Sequence, residues 1–304
     1  MPITFSTYLQ NLREEMDLTQ QNLLDLLTKN NSLFKKLDLT TLSRWERAIT
    51  IPNLKKQLAI ARLFNSDITQ LINPNTPVPT VKKKILEQFH ERVFNPYSEN
   101  QSTLALTKLK TFNNEDQLYH NINNFHEHFL GINTKNIDFK QKTMDINIFT
   151  DKENNLVAHC LFGYTKTNIN KDLYKFEEIE NCDFINKSDE KTVNLYVFSA
   201  FSSLKQSRMA MLLMLIKKLS INNNIKSFII NMHYQEVLNL ISVAEHNIIN
   251  KGQRINSGGV KIFGKNYSFV QALVNAESFL SSPMISSLIE NIDEHLNSLV
   301  ISVE

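Results

Sequence analysis

Residues 39–52 read LTTLSRWERAITIP, and positions 40–47 hold two arginines, a tryptophan, a glutamate and three hydroxyl residues. Wound as a helix at 100° per residue, the stretch puts Leu39, Trp45, Glu46 and Ile49 within about 60° of Leu42. Thr40, Ser43, Arg44 and Arg47 then collect on the opposite side. That outer face has two fixed cations with hydroxyls between them, and Glu46 turns inward. The chemistry it suits is recognition: arginine can bind a guanine edge through two parallel hydrogen bonds, and hydroxyls serve phosphate or base. The competing reading is a plain solvated helix, although such faces more often mix charges of both signs.

A second polar group, Lys205, Gln206, Ser207 and Arg208, opens the segment KQSRMAMLL at 205–213. Cations and a hydroxyl at a helix start suit a phosphate; the alternative is a core helix with a polar first turn. His126 and His128 stand two apart, a spacing that aims them away from each other on a helix, and His120 does not complete a metal site. Cys160 falls in a strand expected to be buried and reads as an inert core thiol. The motifs Gly-x-Ser-x-Gly, the phosphate-binding P-loop and His-Glu-x-x-His are missing, so neither metal nor cofactor is expected.

The elements that must position these residues fall into two regions. Residues 5–16 and 20–28 repeat apolar residues at three- and four-residue spacing, with Thr19 as a cap. A polar stretch, 29–38, precedes the arginine-bearing helix. Pro52 suits the start of a fourth helix, 53–64, and Asp67 a short fifth ending near Ile72. NPNTPVPT at 73–80 reads as a linker, followed by an amphipathic helix at 81–94. From about residue 103 strands alternate with helices: a strand at 104–112, a helix at 115–130, a hairpin at 145–164, a strand at 193–199, a helix at 205–219, a strand at 226–232 and a helix at 234–250. Two strands around Gly264 and a helix at 284–300 complete the pattern. Charge divides along the same line: residues 1–92 hold 13 Lys+Arg against 9 Asp+Glu, and the remainder 20 against 22. A basic module beside a slightly acidic one is compatible with nucleic-acid binding by the first. Two cysteines cannot build a disulfide framework, and no signal peptide or membrane-length apolar run is apparent, so a soluble, cytoplasmic protein is expected.

The order Leu12-Arg13, Leu18-Thr19-Gln20, SRWER and Pro52 resembles the helix-turn-helix domain of the Cro/C1-type repressor family (xenobiotic-response-element regulators). The resemblance implies that Gln20 donates to a phosphate and that Thr40, Thr41, Ser43, Arg44 and Arg47 face DNA. It also implies that Arg13 and Glu46 bridge the first and third helices. The family joins its two motif helices by three or four residues; here a longer insertion carries Lys35 and Lys36, which are candidates for further phosphate contacts. Ala48 stands where the family places a helix-ending glycine.

The later element order resembles the Gcn5-related N-acetyltransferase (GNAT) fold. In that family a glycine-bearing loop before a helix cradles pyrophosphate, but Arg208 occupies the glycine position here. The family's general-acid tyrosine has its counterpart at Ile248, between Ala244 and Gly252, and isoleucine carries no proton. The expected fold is therefore multidomain: an all-α five-helix helix-turn-helix domain at 1–72, a Pro-rich linker and connecting helix at 73–102, a GNAT-like α/β domain with a mixed sheet at 103–275, and a terminal helix at 276–304 able to pair subunits. The function implied is a transcription regulator without enzymatic activity, a homodimer on two-fold symmetric double-stranded DNA. Its second domain would sense a small molecule or acyl-CoA-like effector, or grip a partner. The alternatives are an acetyl-CoA-dependent acetyltransferase delivered by its DNA-binding domain, and an autoregulating antitoxin-like protein.

Overall fold

Thr4, Thr19, Asp38 and Asn53 each stand one residue before a helix and accept a hydrogen bond from a backbone N–H three residues on, at 3.3, 3.1, 2.6 and 3.0 Å. Each satisfies a donor that the first turn would otherwise leave unpaired, a contribution of about 1 kcal/mol apiece. In the computed structural model, which describes residues 3–73, 75–91, 104–109, 117–131, 144–168, 182 and 184–303, these caps start α1 (Phe5–Glu15), α2 (Gln20–Asn30), α3 (Leu39–Glu46) and α4 (Leu54–Leu63). Asp17, Ala48 and Asn65 end α1, α3 and α4 in the left-handed region, at φ +50°, +56° and +54°. At Ala48 the turn closes with Ala48 N–H on the Trp45 carbonyl and Ile49 N–H on that of Arg44, the paired bonds of a Schellman ending. Alanine takes that conformation at roughly 1 kcal/mol of strain, because its Cβ crowds the following carbonyl oxygen.

The expected fifth helix is a single 3-10 turn, Thr69–Leu71, with Asp67 accepting from Thr69 N–H at 2.9 Å. The insertion after α2 is not wholly polar loop. Asn31 caps a 3-10 turn, Ser32–Phe34, and Phe34 is buried in the helical core beside Leu9, Leu23, Leu27 and Leu42. After the linker, α5 (Thr80–Glu91) lies against the second region; the expected remainder of this helix, 92–94, is outside the described residues.

The second region is a mixed eight-stranded sheet. Its strands are β1 (Leu104–Leu109), β2 (Met144–Thr150), β3 (Leu156–Lys166), β4 (Val193–Ser202), β5 (Ile225–Met232), β6 (His246–Lys251), β10 (Val270–Asn275) and β11 (Val300–Val303). They lie in the order β11-β1-β2-β3-β4-β5-β10-β6. Pairings are antiparallel except β1 with β11 and β4 with β5. Between β6 and β10 the chain makes an excursion, β7 (Arg254–Ile255), β8 (Val260–Ile262) and β9 (Lys265–Tyr267), that forms a separate three-stranded sheet. One face of the large sheet carries α7 (Lys205–Ile221), α8 (Gln235–Ile241), α9 (Ala276–Leu280), α10 (Pro283–Ser286) and α11 (Ile292–Leu299). The other carries α6 (Gln117–Asn124), which runs on as a π-helical turn, Phe125–Leu130, and ends at Gly131 with φ +71°. The expected strand and helix ends at 110–112 and 115–116 are outside the described residues.

Two expected helices are corrected. The segment 234–250 is helical only to Ile241. His246–Lys251 is strand β6, with Ile248 opposite Ala272 of β10, because its run of branched and polar residues fits a sheet edge better than a helix. Ile248 is therefore on no helix, and the comparison of 244–252 with an acetyltransferase helix lapses. The segment 284–300 is broken at Asn291, φ +55°, into α10 and α11. Met284, Ile285 and Ile289 are buried in their own chain and do not form an open seam; the same holds for Phe89 of α5.

The two regions share one apolar core. Arg62 of α4 crosses between them with its side chain fully buried. It donates to the carbonyls of Leu219 (3.0 Å), Asn222 (3.1 Å) and Ile225, and its Nε lies 3.2 Å from Glu277 Oε1. Lys55 at the start of α4 pairs with Glu245 at 2.5 Å.

Candidate functional site

Glu46 organises the arginine-bearing helix. Only 4% exposed, it receives Arg13 Nε at 2.8 Å and Gln20 Nε2 at 2.6 Å, while its own carbonyl accepts from Gln10 at 2.7 Å. One carboxylate thus ties α3 to both α1 and α2, and its charge is neutralised where burial would otherwise make it costly. The expected Arg13–Glu46 bridge is present. Gln20, expected on a phosphate, is turned to Glu46 instead. Trp45 is buried edge-on to Phe5 (6.3 Å between ring centroids), with Lys56 Nζ 5.8 Å above its ring.

This inner anchoring decides the outer face. Thr40, Arg44 and Arg47 are exposed, Thr41 and Ser43 half-buried, and Lys35 and Lys36 exposed on the insertion just before the helix. Among the described residues none of these four cations forms a salt bridge. Asp38 sits at the helix start, its carboxyl held below the usual range by hydrogen bonds from Thr41 and by the nearby Arg44. Leu39 and Ile49, expected inward, are 40% and 59% exposed. Leu39 has no preceding turn to lie on, and Ile49 falls beyond the end of α3, where the 100° rotation no longer applies.

The second candidate group is brought to a different use. Arg208 Nη1 donates to the carbonyls of Phe89 (3.1 Å) and His90 (3.2 Å), at the end of α5, and Lys205 Nζ lies 3.4 Å from Glu91. Ser207 is buried against Ser202 Oγ at 2.6 Å, and Gln206 is half-buried. The cations at the start of α7 therefore bind the negative end of another helix in the same chain.

Above this junction the sheet opens. β4 and β5 pair only as far as Val197 opposite Ile230; beyond it the strands diverge, and Asn231 Nδ2 supplies the hydrogen bond to the Phe198 carbonyl (3.0 Å) that the β5 backbone no longer reaches. The gap is a cavity of about 120 Å³. Its walls are mainly apolar, with Phe89, Phe162, Met211, Leu215 and Phe279 among them, and Arg208, His233 and Glu236 supply polar groups. Cys160 borders it as a buried thiol whose pKa burial pushes up.

The sequence reading missed one cluster. Ser199 Oγ on β4 lies 2.7 Å from His126 Nε2 and 2.9 Å from His159 Nε2, both rings buried. Burial lowers His126 to about 4 and, together with the neighbouring His126, lowers His159 to about 3. Neutral rings sharing one hydroxyl make a structural hydrogen-bond network. Three elements supply it from distant parts of the chain, so no spacing announces it. Among the described residues no group of three or more His, Cys, Asp or Glu can hold a metal, and no helix is long and apolar enough to cross a membrane.

No family model and no curated protein matches this chain. Two solved structures are similar to part of it: TofI in an apo form, with 9% identity over 60% of this chain and 98% of that one, and TofI in a ternary complex with an inhibitor and MTA, with 10% identity over 61% and 99%. The TM-score is 0.33 for both, a likeness that assigns no function.

Proposed function

We propose that the chain is a sequence-specific transcription regulator that binds duplex DNA through α3. In this reading α2 and α3 act as a Cro/C1-type helix-turn-helix, and the mixed sheet is a GNAT-like domain turned to sensing. One observation carries it. Glu46 is consumed by Arg13 and Gln20 on the inside, which leaves Thr40, Arg44 and Arg47 as an outward face with no carboxylate between them. Arginines in that setting contact guanine edges, and Lys35 and Lys36 reach phosphates. Arg44→Ala and Arg47→Ala each weaken operator binding by about 1–3 kcal/mol at one fixed salt concentration; binding unchanged in both rejects the proposal. A single recognition helix gives limited specificity, so two copies on a symmetric operator are the natural arrangement.

The effector is a small apolar molecule in the β4–β5 cavity, with room for on the order of ten non-hydrogen atoms. Phe89 walls this cavity and belongs to α5, which follows directly on the linker from the helical region, so an occupant presses on the element that joins the two. The acetyltransferase alternative has less support, because Lys205 and Arg208, its candidate phosphate ligands, are held by α5.

A further inference from the structure

Between Glu245 and Glu277 the chain carries Lys251, Arg254, Lys261 and Lys265 and no carboxylate; at the overall frequency of 31 acidic residues in 304, a run of that length would hold about three. All four cations are exposed, and among the described residues none forms a salt bridge. Lys251 ends β6, and the other three lie on the excursion that leaves the sheet there and returns at β10.

The excursion is built as a firm arm. Gly252 N–H bonds to the Phe269 carbonyl at 3.0 Å and Ser268 N–H to that of Gln253 at 2.9 Å, while Val260 is fully buried at its base. Gln235 of α8 accepts from Lys261 N–H at 2.8 Å. A Cβ at Gly259 would meet the Tyr267 carbonyl oxygen at 2.1 Å, so the chain entering β8 lies directly against the backbone of β9. At the far end Ile262 pairs with Lys265 across a two-residue turn, Phe263-Gly264, with φ +46° and +78°. A turn of this kind favours asparagine or glycine at its first position. Here it holds a phenylalanine that is 96% exposed, with Lys261 and Lys265 beside it.

We propose that this arm is a second contact to duplex DNA, in which Lys261 and Lys265 meet phosphates and Phe263 wedges between base steps. The proposal rests on the DNA-binding reading of α3. A lone aromatic at the tip of a narrow basic ribbon matches the way minor-groove proteins unstack and bend a duplex. A membrane surface would call for a broad apolar face, whereas the neighbouring turn is Asn256, Ser257, Gly258 and Gly259.

The test uses the full chain with a mixed-sequence 40-base-pair duplex, following binding by fluorescence anisotropy across a NaCl series. Replacing both lysines (Lys261→Gln with Lys265→Gln) lowers the slope of log K against log[salt] by about 1.8, from 0.9 per phosphate contact. Phe263→Ser leaves that slope unchanged and abolishes the shortening of the duplex read by energy transfer between its ends. A salt slope unaltered by the lysine pair overturns the phosphate contacts, and bending that survives Phe263→Ser overturns the wedge. The pair Arg44→Gln with Arg47→Gln separates the two readings. If it loses binding while the arm variants behave as wild type, the α3 reading stands and the arm proposal falls; if only the arm variants lose binding, the α3 reading falls, and with it the arm's place as a second contact. A wild-type chain that binds no duplex at all overturns both. Flotation with phosphatidylserine vesicles that is lost in Phe263→Ser, with DNA binding intact, assigns the arm to membranes and also overturns the proposal.

Discussion

Arg62→Met tests how the helical region is held to the sheet. The change removes a fully buried guanidinium, orphans the carbonyls of Leu219, Asn222 and Ile225, and leaves Glu277 buried without its nearest cation. Breaking a buried pair from one side costs about 3–5 kcal/mol, and each orphaned acceptor costs about 1–3 kcal/mol if it stays dry. Added together these would consume most of a typical stability of about 5–15 kcal/mol, so water must enter and recover part of the carbonyl cost. Lys226 also lies in the field of Glu277 and takes over some of its charge. The expected loss is therefore about 4 kcal/mol. Trp45, the chain's one tryptophan, reports the helical region in urea denaturation, while far-ultraviolet circular dichroism reports the whole fold. Wild type should give coincident transitions, and in Arg62→Met the Trp45 transition should separate and move to lower urea. Adding Glu277→Leu should return about 2 kcal/mol, because it removes the stranded charge but not the orphaned carbonyls. A loss below about 1 kcal/mol in Arg62→Met with transitions still coincident would refute this account.

Ala48→Gly should raise stability by up to about 0.5 kcal/mol, the left-handed strain of about 1 kcal/mol relieved less the added freedom of the unfolded chain; a lowered urea midpoint argues against the α3 ending described. Glu46→Ala should cost about 2 kcal/mol, discounted because Arg13 is partly exposed, and should weaken DNA binding with Arg44 and Arg47 intact; unaltered binding would mean that α3 needs no such anchor. His126, His159 and His233 are neutral in the fold, with pKa values lowered to about 4, 3 and 4, while the unfolded chain takes up protons below the ordinary 6.5. Their contribution is full above pH 6.5 and fades as pH falls towards 4, by about 2 kcal/mol per histidine between 6.5 and 5. Unfolding free energies that fall by less than about 1 kcal/mol in total over that interval contradict the burial of these rings.

What was legible in the sequence was what local physics determines. The wheel of residues 39–47 placed Leu42, Trp45 and Glu46 inside and Arg44 and Arg47 outside, since a helix fixes its own faces. The 145–164 hairpin and the 205–219 helix were equally readable from period and turn residues. The errors fall where a distant partner decides. Residues 246–251 have an acceptable helical spacing, and the ladder with β10 is what lets their branched side chains settle as a strand instead. Lys205 and Arg208 look like phosphate ligands until the end of α5 arrives to take them. Arg62 sits unremarked in the run IARLF, because its acceptors come from α7, β5 and α9. The Ser199 cluster is hidden for the same reason.

The pairing of β11 with β1 has a consequence in time. Leu104 and Val300 are partners in that ladder although almost two hundred residues of chain separate them. At ribosomal rates of about 5–20 residues per second, β1 waits on the order of 10–40 s after synthesis before its outer neighbour exists. The helical region closes on local contacts long before that, with Arg62 still lacking the carbonyls and carboxylate that will receive it. A nascent chain therefore presents a folded N-terminal module alongside an open strand edge, the interval in which a chaperone has most to protect.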